Sequence, residues 1–317
     1  MAARLDRGQL VVYGLFGLPL AMAALPLYVH LPKFYGDELG MSLALVGGIL
    51  LGARLLDALQ DPLLGYLSDR APGRKRFVLA ALPLLAAGML GLFNPPALTE
   101  GALALWLLAC LAVVYLGFSM ASISYQAWGA QLSSDHNERT RITASRETFT
   151  LIGVVAAAAL PALLGSGGAE QLSRFALLFV ALLAACGALT LALSPEVSAP
   201  PRAAGGLFAA LVQPLGNPAF RSLLLVFVLN GIASAIPATL VLFFMSDVLL
   251  LGERAGLFLA LYFVSGAAGM PLWVALARRY GKRAAWLGAM LLSVAAFVWA
   301  YGLGAGDAAA YAVVCVM

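Results

Sequence analysis

The chain has 317 residues, of which 62% are hydrophobic and 11% charged, with a formal net charge of +4. A mean hydropathy of +0.94 lies outside the range of soluble domains and indicates a polytopic membrane protein. Apart from Arg54, the Lys and Arg residues sit at or beyond the ends of the apolar runs, so the net charge needs no nucleic acid, and Cys110, Cys186 and Cys315 all lie inside runs, which suggests neither a disulfide framework nor a thiol metal cluster.

The runs fall near residues 10–31, 43–67, 77–93, 102–128, 146–165, 175–194, 222–245, 257–277 and 284–302. They are continuously apolar rather than alternating, which excludes a closed β-barrel and gives an all-α fold. A tenth run begins near residue 309. A helix needs about 20 residues to cross the hydrocarbon core, so the second half is expected to be cut short after the start of helix ten. Basic residues cluster in alternate segments: Arg4 and Arg7; Arg70, Arg74, Lys75 and Arg76; Arg139, Arg141 and Arg146; Arg202 and Arg221; Arg278, Arg279, Lys282 and Arg283. The opposite ends carry Lys33, Arg174 and Arg254. This bias predicts a cytoplasmic N-terminus and a multi-pass protein of the plasma (inner) membrane. The first run is full-length and has no cleavage signal.

The first run holds no acid between Leu10 and Leu31, whereas the second carries Arg54, Asp57 and Asp61. Each ionised group near the bilayer centre costs roughly 2.5–3.5 kcal/mol. Spacings of three and four stack all three on one helix face. Paired carboxylates there suit Na⁺ or a shared proton, because coupled acids titrate as a unit; a structural ion-pair network is the other reading. Gly48 and Gly52 on the same run predict close packing against a neighbour. Pro19, Pro26, Pro83, Pro161, Pro237 and Pro271 interrupt the helices.

The fourth run ends in a polar stripe, Ser119, Ser122, Tyr125 and Gln126, with Trp128 beyond it. Such a stripe faces protein or water, and Tyr125, Gln126 and Trp128 together suit a sugar ring or an amphipathic solute; an interfacial belt is the alternative for Trp128. On the seventh run Asn230 and Ser234 share a face. His30 and His136 have no acidic or thiol cluster beside them, so no metal or cofactor is expected. Residues 195–221, punctuated by five prolines, divide an N-terminal six-helix half (1–194) from a C-terminal half (222–317). Residues 207–212 form either a short interfacial helix or plain linker. Aligning Pro62 with Pro271 matches Leu63 with Leu272, Leu67 with Leu276 and Arg70 with Arg279. With Pro72 as an insertion, Gly73, Arg74 and Lys75 fall on Gly281, Lys282 and Arg283. This is the pattern of duplicated halves. Arg54, Asp57 and Asp61 meet Phe263, Gly266 and Met270, so the charged face belongs to the first half alone.

The run Gly65-Tyr66-Leu67-Ser68-Asp69-Arg70-Ala71-Pro72-Gly73-Arg74-Lys75-Arg76 resembles the loop signature of the major facilitator superfamily. The resemblance implies a fold of two six-helix halves and a gating role for Asp69, Arg70, Gly73 and Arg74, with the glycines giving close helix approach and a tight turn. The run Ala53-Arg54-Leu55-Leu56-Asp57-Ala58-Leu59-Gln60-Asp61-Pro62 is similar to the second helix of the glycoside–pentoside–hexuronide:cation symporters. Residues 125–130 and 138–146 also fit that group. By this resemblance Asp57 and Asp61 are the cation ligands, Arg54 their counter-charge, Gln60, Ser122 and Ser124 neighbours of the cation, and Arg146 a cavity residue beside Tyr125, Gln126, Trp128 and Asn230. The sequence departs from the group in three ways. Sugar-binding carboxylates are missing from the first and fourth helices, where Ser124 takes the second position; Gln60 replaces an Asn; and Ala121 replaces a hydroxyl residue. The thinner ligand set favours H⁺ over Na⁺. The expected function is cation-coupled symport of a small, sugar-like solute by a monomer in the lipid bilayer. A lipid-like solute such as a lysophospholipid, and a non-transporting receptor of the same fold, are the alternatives. An aspartyl intramembrane protease places its acids on separate helices, so an enzyme is not expected.

Overall fold

The computed structural model describes residues 5–71, 73–165, 168–195 and 212–317. Among the described residues every regular element is helical, and nine helices are long and apolar enough to cross a membrane. We number them α1 (Arg7–Glu38), α2 (Leu43–Arg70), α3 (Arg74–Phe93), α4 (Glu100–Gln131), α5 (His136–Leu164), α6 (Gly168–Leu193), α7 (Pro218–Val248), α8 (Ala255–Tyr280) and α9 (Lys282–Tyr301), followed by a shorter α10 (Ala308–Val316). The interfacial helix considered for 207–212 and the Pro72 insertion lie outside the described residues, apart from Val212.

Several starts are set by short polar side chains that satisfy backbone N–H groups otherwise left unpaired in an apolar setting. Asp6 and Gln9 form a reciprocal capping box on α1. Ser42 accepts from Leu45 N at 3.3 Å on α2, and Asp135 accepts from Glu138 N at 2.8 Å on α5. Helix α1 is not continuous: its regular pieces end at Leu15, Tyr28 and Lys33, and it finishes in a π turn over Phe34–Glu38.

Helix α7 ends in the same way, in a π turn over Phe244–Val248. Leu39 N donates to Phe34 O at 3.1 Å and Met41 N to Tyr35 O at 3.0 Å; 210 positions later Leu249 N donates to Phe244 O at 3.0 Å and Leu251 N to Met245 O at 2.7 Å. The repeat read from the second and eighth runs therefore has a backbone counterpart at the ends of the first and seventh.

Helices α3 and α4 pack together, as do α1 with α5, α2 with α4, α3 with α6, and α8 with α5. Two glycine expectations need correction. A Cβ at Gly48, Gly52 or Gly65 would meet nothing within 4 Å, so no close helix approach occurs there. Gly73 has φ 177°, extended backbone open to any residue, whereas Gly281, its repeat partner, has φ 87° and occupies the left-handed region. Close approach is instead made by α5, where a Cβ at Gly153 would lie 2.2 Å from Leu18 O, and by α4, where one at Gly129 would lie 2.0 Å from Tyr13 Oη.

Candidate functional site: an acid pair and a clamped arginine on α2

The spacing expected of Arg54, Asp57 and Asp61 is present on one uninterrupted helix, α2. Asp57 is the hub. Its Oδ2 lies 3.2 Å from Arg54 Nη1, and its Oδ1 accepts from Gln60 Nε2 at 3.1 Å and from Ser119 Oγ of α4 at 3.1 Å. Asp61, one turn on, differs: its Oδ1 is buried and accepts no hydrogen bond among the described residues. Pro62 has no N–H, so the Ala58 carbonyl one turn earlier loses its ladder donor. A buried carboxylate oxygen without a donor is costly and fits a group that takes up H⁺ or Na⁺.

Arg54 is held by aromatic faces. Its guanidinium carbon stands 4.1 Å from the Tyr28 ring centroid of α1 and 4.7 Å from that of Tyr115 of α4. Cation–π contact of this kind stabilises a charge that is partly removed from water. Neither tyrosine nor Ser119 belonged to the expected cation set. The available signal was their position, since each is a polar-tipped residue inside an otherwise apolar run.

Ser122 and Ser124 do not reach the acids. Ser122 Oγ lies 3.4 Å from the Ser119 carbonyl on its own helix. Ser124 is buried, 2.7 Å from Ser68 Oγ, and Ser68 also accepts from Arg74 Nη1 at 2.6 Å. Arg74 bonds Asp69 at 2.6 Å as well, so Asp69, Arg74, Ser68 and Ser124 form one network at the end of α2, beside which Arg70 stacks on Tyr66 at 3.9 Å. Lys75 extends it, donating to the Leu191 and Ser194 carbonyls at the end of α6 at 2.9 and 2.6 Å. Cations favour helix C-termini in this way.

The substrate wall expected on α4 is placed differently. Ala121, Ser124, Tyr125 and Trp128 are all buried, forming an i, i+3, i+4, i+7 packing face. Tyr125 Oη donates to Tyr13 O at 2.5 Å while Tyr13 Oη donates to Tyr125 O at 2.9 Å, and Trp128 Nε1 donates to Pro195 O at 3.1 Å. Their polar tips are thereby spent on backbone carbonyls, and Trp128 is neither a sugar platform nor an interfacial belt residue. Gln126 and Arg146 do meet, with Tyr13, Arg139 and Thr143, around a cavity of about 200 Å³ between α1, α4 and α5. Arg146 also pairs with Glu147 at 2.6 Å. Asn230 on α7 is exposed and joins neither cluster.

Because Ser119 and not Ser122 bonds Asp57, the two serines should separate in function. A hydrogen bond to a charged acceptor contributes about 1.5–3 kcal/mol. At the lower end, Ser119→Ala is expected to reduce uptake at limiting cation roughly tenfold, with Ser122→Ala within about twofold of wild type. Initial-rate measurements in vesicles check this, and equal effects would remove Ser119 from the site.

A helical bundle with short loops, a charged turn between its second and third spans and an acid pair inside the second has the architecture of a major facilitator transporter. Residues 12–317 match the family described as MFS/sugar transport protein, and the chain belongs to that family. It is 30% identical over 156 residues to the putative glycoside/cation symporter YagG of Escherichia coli, covering 46% of this chain and 33% of that protein. It is 23% identical over 303 residues to the mouse sphingosine-1-phosphate transporter MFSD2B, covering 86% and 61%. The crystal structure of the peptide transporter POT in complex with sulfate superposes with a TM-score of 0.67 at 14% identity, over 98% of this chain and 78% of that one, a likeness of fold. The chain thus spans about a third of the length of the bacterial symporters it matches. These relatives are transporters, not enzymes.

Proposed function

We propose that the protein is a secondary active symporter that couples H⁺ or Na⁺ to the movement of a small organic solute by alternating access. The observation that carries this reading is the acid pair inside a membrane-spanning helix, with Asp57 fully engaged and a buried Asp61 oxygen lacking a donor. Asp57 and Asp61 bind the coupling ion, Gln60 and Ser119 orient Asp57, and the Asp69–Arg74–Ser68–Ser124 network is the latch of one state. Gln126 and Arg146 are the residues of the expected substrate set that border a cavity. The names of the bacterial relatives favour a glycoside-like solute. A lipid-like solute is the second reading: the α1 and α4 runs carry no carboxylate between Leu10 and Leu31 or between Gly101 and Gln131, and the resemblance to MFSD2B extends over most of the chain.

The basic ends of the helices set that side to the cytoplasm of a plasma (inner) membrane. Membrane-impermeant labelling of a cysteine placed at Asp37 in intact cells is the check, and protection there would reverse the orientation.

The test of function is uptake by proteoliposomes under imposed gradients, screened against glycosides and lysolipids. The hydrogen-bond partners of Asp57 are one amide, one hydroxyl and one guanidinium. They provide few oxygens for a metal ion, while a proton needs only the carboxylates. Uptake should therefore follow a pH gradient and be nearly indifferent to external Na⁺ at fixed pH. Saturable stimulation by Na⁺ with no response to pH would reassign the ion.

A further inference from the structure

The Arg54 guanidinium has a use that cation binding alone does not explain. Its contact with Asp57 runs through one nitrogen at 3.2 Å, longer than the 2.6 Å of Arg74–Asp69 or the 2.8 Å of Arg141–Glu138. Charge-assisted pairs normally close to about 2.7–2.9 Å, so Asp57 holds Arg54 loosely. Arg54 Nη2 is buried and finds no acceptor among the described residues. The Tyr28 and Tyr115 rings hold the guanidinium carbon at 4.1 and 4.7 Å from their centroids, and the unpartnered Nη2 is the donor left for further bonding. The helices that carry those two rings offer no competing acid at this depth. The acids of α1 are Asp37 and Glu38 at its far end, and the acid of α4 is Glu100 at its first residue. A planar fork fixed in this way is suited to carboxylate, sulfonate or phosphate oxygens.

The geometry points to Arg54 as the anion receptor of the transport site: the solute carries a negatively charged group that docks on the Nη2 edge of Arg54 and loosens its hold on Asp57. This rests on the reading of Asp57 and Asp61 as the coupling-ion site. Docking an anion on Arg54 releases Asp57 Oδ2, so solute and cation each tighten the binding of the other, and reciprocity requires both effects to be equal in magnitude. The donor edge of Arg54 and the unpaired oxygen of Asp61 lie on the same helix, two turns apart, which allows an anion and a cation to be carried together.

Two matched pairs of probes differ only in the anionic group: methyl glucuronide against methyl glucoside, and a lysophosphatidic acid against its monoacylglycerol. Binding to the purified full-length protein is measured by titration calorimetry. The charged member of at least one pair should bind tenfold or more tightly in the wild type and tighten cation binding by a similar factor. Arg54→Gln should reduce the preference to within twofold and abolish the cooperativity. Arg54→Lys keeps a charge beside Asp57 but lacks the fork; it should lose at least threefold of the preference and serves if the glutamine variant fails to fold. Equal binding of charged and neutral members, retention of the preference in both variants, or binding of none of the four compounds would overturn the anion receptor. Failure of the underlying reading is recognised separately, by gradient-driven accumulation that survives Asp61→Asn.

Discussion

Asp61→Asn is expected to reduce gradient-driven accumulation of solute to simple equilibration across the membrane, without loss of the folded protein. Moving one charge through 100 mV supplies about 2.3 kcal/mol, enough for roughly fifty-fold accumulation, and that factor is what the substitution should remove. The amide keeps the shape of the carboxylate and loses its charge and its proton. Asp61 is the cleaner position to change because its buried Oδ1 has no donor to abandon, and Ser119 is the hydrogen-bond donor beside the rest of its carboxyl group. Asp57→Asn disturbs Arg54, Gln60 and Ser119 together and so mixes a folding effect with a coupling effect. Accumulation by proteoliposomes under an imposed gradient, with solute exchange at zero gradient as the control for folding, decides the matter. Full accumulation in the Asn variant would show that Asp61 does not carry the coupling ion.

The spans and the acid pair were legible because both depend on local spacing. Twenty apolar residues in a row make a helix in lipid whatever surrounds them, and residues three and four apart share a face before any tertiary contact forms. The partner of Asp57 on α4 was not legible. The polar stripe at the end of that helix does not say which of its residues meets α2, and three serines within six residues were equivalent until the packing chose Ser119. Tyr125 and Trp128 were misread for a related reason. Their acceptors are backbone carbonyls of Tyr13 and Pro195, and every residue carries one, so the sequence contains no mark of the pairing. The repeat was visible at Pro62 and Pro271, where side chains match. At the π turns of α1 and α7 it persists in backbone bonds between Phe34 and Leu39 and between Phe244 and Leu249, where Phe34, Asp37 and Leu39 also match Phe244, Asp247 and Leu249.

Glycines give the sharpest contrast between motif and packing, and they set the second large effect. Gly48 and Gly52 have the spacing associated with close helix pairs, yet a Cβ at either meets nothing within 4 Å. Gly153 has no such signature, but a Cβ there would lie 2.2 Å from the Leu18 carbonyl oxygen and 3.0 Å from Ala21 Cβ. The obstruction is backbone of α1 rather than the end of a flexible side chain, so Gly153→Ala forces α1 and α5 apart. Overpacking of this kind costs about 1–3 kcal/mol or more. A loss of 2–3 kcal/mol would lower the unfolding midpoint by roughly 4–10 °C. Gly52→Ala should leave the midpoint unchanged or slightly raised, since alanine is the better helix former. Thermal unfolding of the two purified variants, followed by intrinsic fluorescence in the same detergent, compares them directly. Equal midpoints would mean that α1 and α5 do not cross as closely as Gly153 and Leu18 imply, and the placement of Tyr28 against Arg54, which depends on the seating of α1, would lose its support.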